Sequence, residues 1–145
     1  MTRSRRKARE AVLQALYWSQ SSGDPVKQTL HTMSLRLDLS SEVSKFATNL
    51  GLETWARRAE LDPQIESVSQ NWSLERISRI DRILLWMALT EIAAFEDIPT
   101  KVSIDEAIEL AKRYSVEKAP GFINGILDAL VKREEKLDNV GHAEP

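Results

Sequence analysis

The stretch LERISRIDRILLWMALTEIAAF, from Leu74 to Phe95, is the most hydrophobic part of this sequence. Its apolar residues recur at helical spacing along one line, formed by Ile77, Ile80, Leu84, Ala88 and Ile92. Between residues 83 and 89 the helix would be apolar on every side, which is typical of a helix buried on all faces. The stretch therefore predicts a central helix from residue 74 to residue 95, capped by Ser73, around which the other elements pack.

The rest of the chain repeats the helical spacing, and no segment alternates as a strand would. Helix start signals, such as an acid before proline, a serine cap or a capping box, occur at residues 24–25, 40–41, 62–63 and 103–106. We therefore predict an all-α fold of about seven helices, over residues 5–20, from 24, from 41 past Gly51 towards 61, 62–70, 74–95, from 103, and 121–137. The break at residues 71–73 divides one domain into two packed helical subdomains, residues 1–70 with a basic arm and residues 71–145.

The composition bounds the class of protein. The 145 residues are 42% hydrophobic and include no cysteine, which allows a folded core and excludes disulfides and cysteine zinc sites. No apolar run approaches the roughly 20 residues that a membrane helix needs. The N-terminal basic residues are not followed by the apolar segment of a signal peptide. We therefore expect a cytoplasmic protein with no membrane partner.

Signatures of catalysis are sparse in this sequence. It has two histidines, His31 and His142, and neither a glycine-rich phosphate loop nor a glycine-x-serine-x-glycine pattern. The acidic cluster of Asp105, Glu106 and Glu109 fits the first turns of a helix better than a metal site. We expect a binding protein and not an enzyme, with no catalytic residue, no metal and no cofactor.

Positive charge is concentrated at the N-terminus, in MTRSRRKAREAVLQALY from Met1 to Tyr17. Five cations lie within seven positions, and removing them from the 20 Lys and Arg leaves 15 against 22 acids. A helical wheel places Tyr17 on the same side as Arg6, and an aromatic ring beside cations suits a single-stranded RNA, whose bases stack and whose phosphates pair. The alternative is a solvated basic tail, with Leu13 and Tyr17 packed between the subdomains.

Four blocks of sequence resemble the NusB family of bacterial transcription antitermination factors. They are RRKARE with QALY at residues 5–17, NWSLERI with DRIL at 71–84, DIPTKV with DEAIELAK at 97–112, and FINGILD at 122–128. The resemblance implies an all-helical fold of two subdomains and no catalysis. It also implies binding to boxA RNA of ribosomal RNA leaders as a heterodimer with NusE, a small-subunit ribosomal protein. That pair would join RNA polymerase and other Nus factors and prevent premature termination.

The resemblance also implies which residues contact RNA. Those on the first helix are Arg5, Arg6, Lys7, Arg9, Gln14 and Tyr17, and those in the second half are Phe122 and Asn124. Phe122 equally suits a core position, and Asn124 equally suits a bond to a neighbouring loop. Gly125, inside the same predicted helix, indicates close approach by another helix or by RNA.

For the NusE surface, the resemblance points to the second half of the chain. The candidates are Glu75, Arg76, Arg79, Arg82 and Trp86. The alternative is a solvated helix face for the charged residues and a core position for Trp86.

The chain departs from the family pattern before its last helix. Tyr114-Ser115 stands where Phe-Gly is usual, Lys118 stands where an acid is frequent, and Pro120-Gly121 follows.

Two other functions compete with antitermination. One is the N-terminal domain of an rRNA cytosine methyltransferase, which would need a cofactor domain and cysteines that this sequence lacks. The other is a homodimeric scaffold in which RNA plays no direct part.

Overall fold

A computed structural model describes residues 2–69 and 73–143, with the side chains of residues 4–69 and 73–137. In these ranges it contains no strand, which confirms the predicted all-α class. It contains six α-helices and one 3-10 turn, Leu74–Arg76. The helices are α1 Thr2–Ser22, α2 Val26–Arg36, α3 Ser41–Val68, α4 Arg79–Ala94, α5 Thr100–Tyr114 and α6 Ala119–Ala143.

Helix α4 is central, as its apolar sequence predicts. It packs against α1, α3, α5 and α6, while α1–α3 pack on one another and α5 packs on α6. Every residue from Ile83 to Glu91 is buried. The hydrophobic core runs continuously from α1 to α6. The predicted boundary between the subdomains lies at residues 70–72, which are outside the described residues. The division into two subdomains therefore stays a prediction.

Helix α3 passes through two residues that often interrupt helices. A Cβ at Gly51 would lie 2.5 Å from Cδ2 of Leu30, which is fully buried, so the glycine allows α2 to approach α3 closely. The helix also continues through Pro63, and the predicted start of a new helix at Asp62 is wrong. Leu61 and Ile65 are buried on either side of the proline, and their packing holds the helix where its backbone loses one hydrogen bond.

Helix α4 begins later than its apolar pattern predicts. The expected helix from residue 74 is interrupted at Ile77, whose backbone is extended with φ −81° and ψ 128°. Ser78 then caps α4, because its Oγ accepts a hydrogen bond from the amide of Asp81 at 3.2 Å. The predicted cap at Ser73 makes no side-chain bond to the backbone of the short turn.

The predicted capping box at residues 103–106 is also wrong. Helix α5 already begins at Thr100, after Pro99, so Ser103 and Glu106 lie inside the helix. Both side chains make tertiary contacts instead of capping bonds: Ser103 donates to Glu91, and Glu106 accepts from Arg6. The last helix likewise starts earlier than residue 121 and ends later than residue 137.

A buried ion pair joins α1 to α4. Arg9 Nε lies 2.7 Å from Glu91 Oε2, and Arg9 Nη2 lies 2.8 Å from Glu91 Oε1. The two side chains are 3% and 2% exposed. Ser103 Oγ on α5 donates a further bond to Glu91 Oε1 at 2.8 Å. One carboxylate therefore connects three helices through charge-assisted hydrogen bonds.

In the parts of the chain that the structure describes, no helix combines the length and the apolar character needed to cross a membrane.

Because Glu91 is buried, removing its cation leaves a charge without compensation. We expect Arg9→Ala to lower the free energy of unfolding by about 3–5 kcal/mol. Urea denaturation followed by circular dichroism measures this. Lys7→Ala removes an exposed cation from the same helix and should change stability by less than about 0.5 kcal/mol. Equal effects of the two substitutions would contradict the structural role of the pair.

Candidate nucleic-acid interface

Helices α1 and α5 are joined along one edge by three side-chain contacts. Arg6 bonds Glu106 at 2.9 and 3.1 Å, Arg113 Nη1 bonds Glu10 Oε1 at 2.6 Å, and Gln14 Nε2 donates to the Tyr114 hydroxyl at 3.2 Å. The α1 members are spaced four residues apart and so follow one line on the helix. We call these six residues the α1–α5 seam: Arg6, Glu10, Gln14, Glu106, Arg113 and Tyr114.

Arg6 is the most N-terminal cation of the seam. Its side chain is 46% exposed, whereas its partner Glu106 is 6% exposed. The hydrogen bond and negative charge of Glu106 raise the pKa of Arg6. The bonds to Glu106 use Nε and Nη2, so the remaining N–H groups are free to meet a second anion from solvent.

The other cations of the N-terminal run have different surroundings. Lys7 is exposed and has no partner among the described side chains. Arg5 pairs with Asp97 at 3.3 Å, and its guanidinium carbon lies 4.6 Å from the Phe46 ring centroid. Arg9 is buried against Glu91, so its predicted contact with RNA does not fit this placement. The side chain of Arg3 lies outside the described ones.

Tyr17, the residue predicted to stack on a base, lies on the surface of α1. Leu13, which the alternative paired with it, does not. Tyr17 is 42% exposed, one turn beyond Gln14 along α1. Leu13 is 2% exposed and belongs to the core, as the alternative for that residue expected. The exposed ring therefore extends the seam towards the end of α1.

A groove of about 420 Å³ lies next to the C-terminal end of α5. Its lining is mainly apolar, with cations from Arg76 and Lys118; the lining residues are Arg76, Ile77, Ser78, Asp81, Val116, Lys118, Ala119 and Phe122. Residues 115–118 connect it directly to Tyr114 of the seam. The groove thus brings Phe122, predicted to contact RNA, beside Arg76, predicted to contact a protein partner.

Asn124 and Gly125 lie on the exposed side of α6. No atom lies within 4 Å of the position that a Cβ on Gly125 would take. The expectation that another helix of this chain approaches Gly125 is therefore wrong. The open surface beside Asn124 remains accessible to a ligand.

Comparison with known proteins places this chain in a family. The model of the NusB family matches residues 6–132 of the chain. The chain belongs to the NusB family. The transcription antitermination protein NusB of Salinibacter ruber is 44% identical over 129 residues, which cover 88% of this chain and 81% of the relative. The NusB of Desulfitobacterium hafniense is 39% identical over 141 residues, which cover 96% and 95%.

Solved structures show the same fold. NusB of T. maritima superposes with a TM-score of 0.82 at 34% identity, covering 92% of this chain and 96% of that one. A chain from the crystal structure of the antitermination factors NusB and NusE in complex with double-stranded RNA has a TM-score of 0.82 at 23% identity, covering 92% and 99%. This NusB-family chain is a transcription antitermination factor and not an enzyme.

In this NusB-family protein the predicted NusE surface separates into two groups. Glu75, Arg76 and Arg79 are exposed, and Arg79 Nη1 donates to Ser21 Oγ at 2.9 Å. Trp86 is 2% exposed, and its Nε1 donates to Asp62 Oδ1 at 2.7 Å.

Arg82 belongs with Trp86 in the second group, because its partly buried side chain pairs with the same Asp62 at 2.8 Å. Trp86 is a core residue, as its alternative expected, and does not offer a docking surface. Arg82 is fixed by an internal contact.

Arg113 is a residue of the α1–α5 seam that sequence analysis does not identify. Its partner Glu10 precedes it by 103 positions, and only the packed helices bring the two together. The sequence carries only an indirect signal, which is that Glu10 lies four residues after Arg6 on α1 and Arg113 directly precedes Tyr114.

Asp62 accepts hydrogen bonds from both Arg82 and the Trp86 indole. We expect Asp62→Ala to lower the free energy of unfolding by about 2–3 kcal/mol, because it leaves the indole N–H buried without an acceptor and Arg82 without its anion. Denaturant unfolding measures the change. Glu53→Ala removes an exposed ion pair with Arg57 from the same helix and should cost less than about 0.5 kcal/mol. A cost for Asp62→Ala as small as that of Glu53→Ala would show that this cluster is not structural.

Proposed function

We propose that this NusB-family protein binds boxA RNA of ribosomal RNA leaders, as a heterodimer with NusE. Bound in this way, it acts with RNA polymerase and the other Nus factors to prevent premature termination on ribosomal RNA operons. This role places it in the cytoplasm. The RNA site consists of Arg6 and Gln14 of the seam, with Arg5, Lys7 and Tyr17 beside them, and extends to Phe122 and Asn124.

The observation that carries the proposal is the arrangement of charge and aromatic surface along α1. Lys7 is an exposed cation without a partner among the described side chains, and Arg6 keeps free N–H groups although it bonds Glu106. The exposed Tyr17 ring lies on the same helix. Single-stranded RNA is usually bound by cations that contact its phosphates and by nearby aromatic rings on which its bases stack.

The proposed NusE surface lies next to the RNA site. Glu75, Arg76 and Arg79 are exposed at the start of the second half of the chain, and Arg76 lines the groove that Phe122 also lines. The solved complex of NusB and NusE with RNA has a chain of the same fold, which supports such an assembly here. One protein and one RNA would then meet at this groove.

The RNA proposal predicts a change in salt dependence. We expect Arg5→Gln with Lys7→Gln to make the slope of log affinity against log salt shallower by about 0.7 for each lost phosphate contact, or about 1.4 for two. Arg6 is kept because its partner Glu106 is 6% exposed and would be left as a buried charge. The measurement is a fluorescence titration of a boxA single strand over a salt series, with and without NusE. Arg9 is left intact because its loss would destabilise the fold.

The matched control removes two exposed cations from elsewhere, as Lys27→Gln with Lys136→Gln. It should leave the slope within error of the wild type. Equal slopes for both double variants would reject the N-terminal helix as the RNA site. Weak binding of the wild type to boxA and scrambled strands alike, together with self-association, would favour the homodimeric scaffold instead.

The NusE proposal predicts an effect of charge at the groove. We expect Arg76→Glu to change the rate of association with NusE by about tenfold, because a reversed charge at the edge of an interface alters the electrostatic attraction of the partners. Surface plasmon resonance with immobilised NusE measures the rate. Lys136→Glu, which makes the same charge change on α6, should have little effect. An unaltered rate for Arg76→Glu would exclude Arg76 from the interface.

A further inference from the structure

The seam contains a cation, Arg113, that the family resemblance does not assign to RNA. Arg113 lies in the last turn of α5, and its side chain is 66% exposed. One guanidinium nitrogen, Nη1, lies 2.6 Å from Oε1 of Glu10. The guanidinium carbon lies 5.5 Å from the ring centroid of Tyr114. The cation is therefore fixed at one end and open to solvent at the other.

We propose that Arg113 is a further phosphate-binding residue of the RNA site, and that Glu10 positions it. The inference rests on the proposed function, because it names an additional contact within the same site. Arg113 would bind one phosphate of the strand with the guanidinium N–H groups that face solvent. Glu10 would contact no RNA.

Burial explains how Glu10 positions the cation. The Glu10 side chain is 9% exposed, and Arg113 is its partner among the described side chains. A carboxylate so far removed from water needs a cation, so the contact with Arg113 is maintained. Since the guanidinium is planar and already anchored, it loses less conformational freedom on meeting a phosphate than a free side chain would.

Position explains why a strand would reach Arg113. Glu10 follows Arg6 by one helical turn, about 6 Å along α1, so the two guanidinium groups succeed one another along the seam. Both cations are open to solvent along the seam, since the side chain of Arg6 is 46% exposed and that of Arg113 is 66% exposed. A strand that follows the seam would meet Arg6, then Arg113, then the Tyr114 and Tyr17 rings.

The neighbouring Lys112 offers a matched comparison. It has the same charge, lies on the same turn of α5 and is 58% exposed. It pairs with Glu109 at 3.1 Å, within its own helix and not across the seam. The two residues thus share their charge and their proximity to the helix end, but Arg113 pairs across the seam with a buried carboxylate and Lys112 pairs with an exposed one on its own helix.

The decisive experiment removes each ion pair as a whole. The double variant Glu10→Gln with Arg113→Gln keeps the net charge and leaves no charge buried alone. We expect its affinity for a labelled boxA single strand, with NusE present, to fall about tenfold, and its salt slope to become shallower by up to about 0.7. The control, Glu109→Gln with Lys112→Gln, should bind within twofold of the wild type. Melting curves establish that both are folded.

Each outcome decides the matter. If Arg113 serves only to neutralise Glu10, the first double variant binds RNA as the wild type does, and the inference is overturned while the proposed function stands. If the wild type itself shows no salt-dependent RNA binding, the proposed function fails and the inference fails with it. Should the double variant not fold, Arg113→Lys keeps the charge opposite Glu10; an affinity equal to the wild type would then overturn the role of the anchored guanidinium.

Discussion

The buried contact of Arg9 with Glu91 is the constraint on which the arrangement of the two halves depends. An isolated charge in this position would be very costly, so the guanidinium and the carboxylate must meet whenever the chain is folded. Their bidentate geometry permits little rotation of α1 about its axis. Once Arg9 faces α4, the line of residues 6, 10 and 14 must face α5. The surface proposed for RNA is thus oriented by a contact beneath it.

The run of N-terminal cations therefore has two kinds of member. Residues two positions apart on a helix point about 200° apart, so Arg9 faces inward when Lys7 faces solvent. Arg6 lies between these extremes, half exposed and bonded to Glu106. The cations of this run are neighbours in the sequence, but their surroundings differ in the folded chain. In the folded chain the same residue type stabilises the interior at one position and remains available to a ligand at another.

Local sequence patterns predict the fold class and the central helix correctly, but they predict several helix ends wrongly. The all-α class and the central place of α4 follow from periodicity and from the apolar stretch at residues 83–89. The local sequence favours capping roles for Asp62 and Ser103, because side chains of these types often bond backbone amides. Here they bond Trp86 and Glu91 instead, and only tertiary packing decides between these uses.

The candidate site shows the same limit over a longer range. The sequence and its family resemblance point to α1 and to Phe122, whereas the contact of Glu10 with Arg113 depends on how two distant helices are packed.

The close approach at Gly51 has a consequence for how this sequence can vary. The side chain of Leu30 fills the volume that a residue on α3 would otherwise take, and both positions are fully enclosed. Positions 30 and 51 therefore share one space, and a side chain at position 51 requires a smaller residue at position 30. Among descendants of this chain, a larger residue at position 51 would be inherited together with a smaller one at position 30, although the two positions are 21 apart in the sequence.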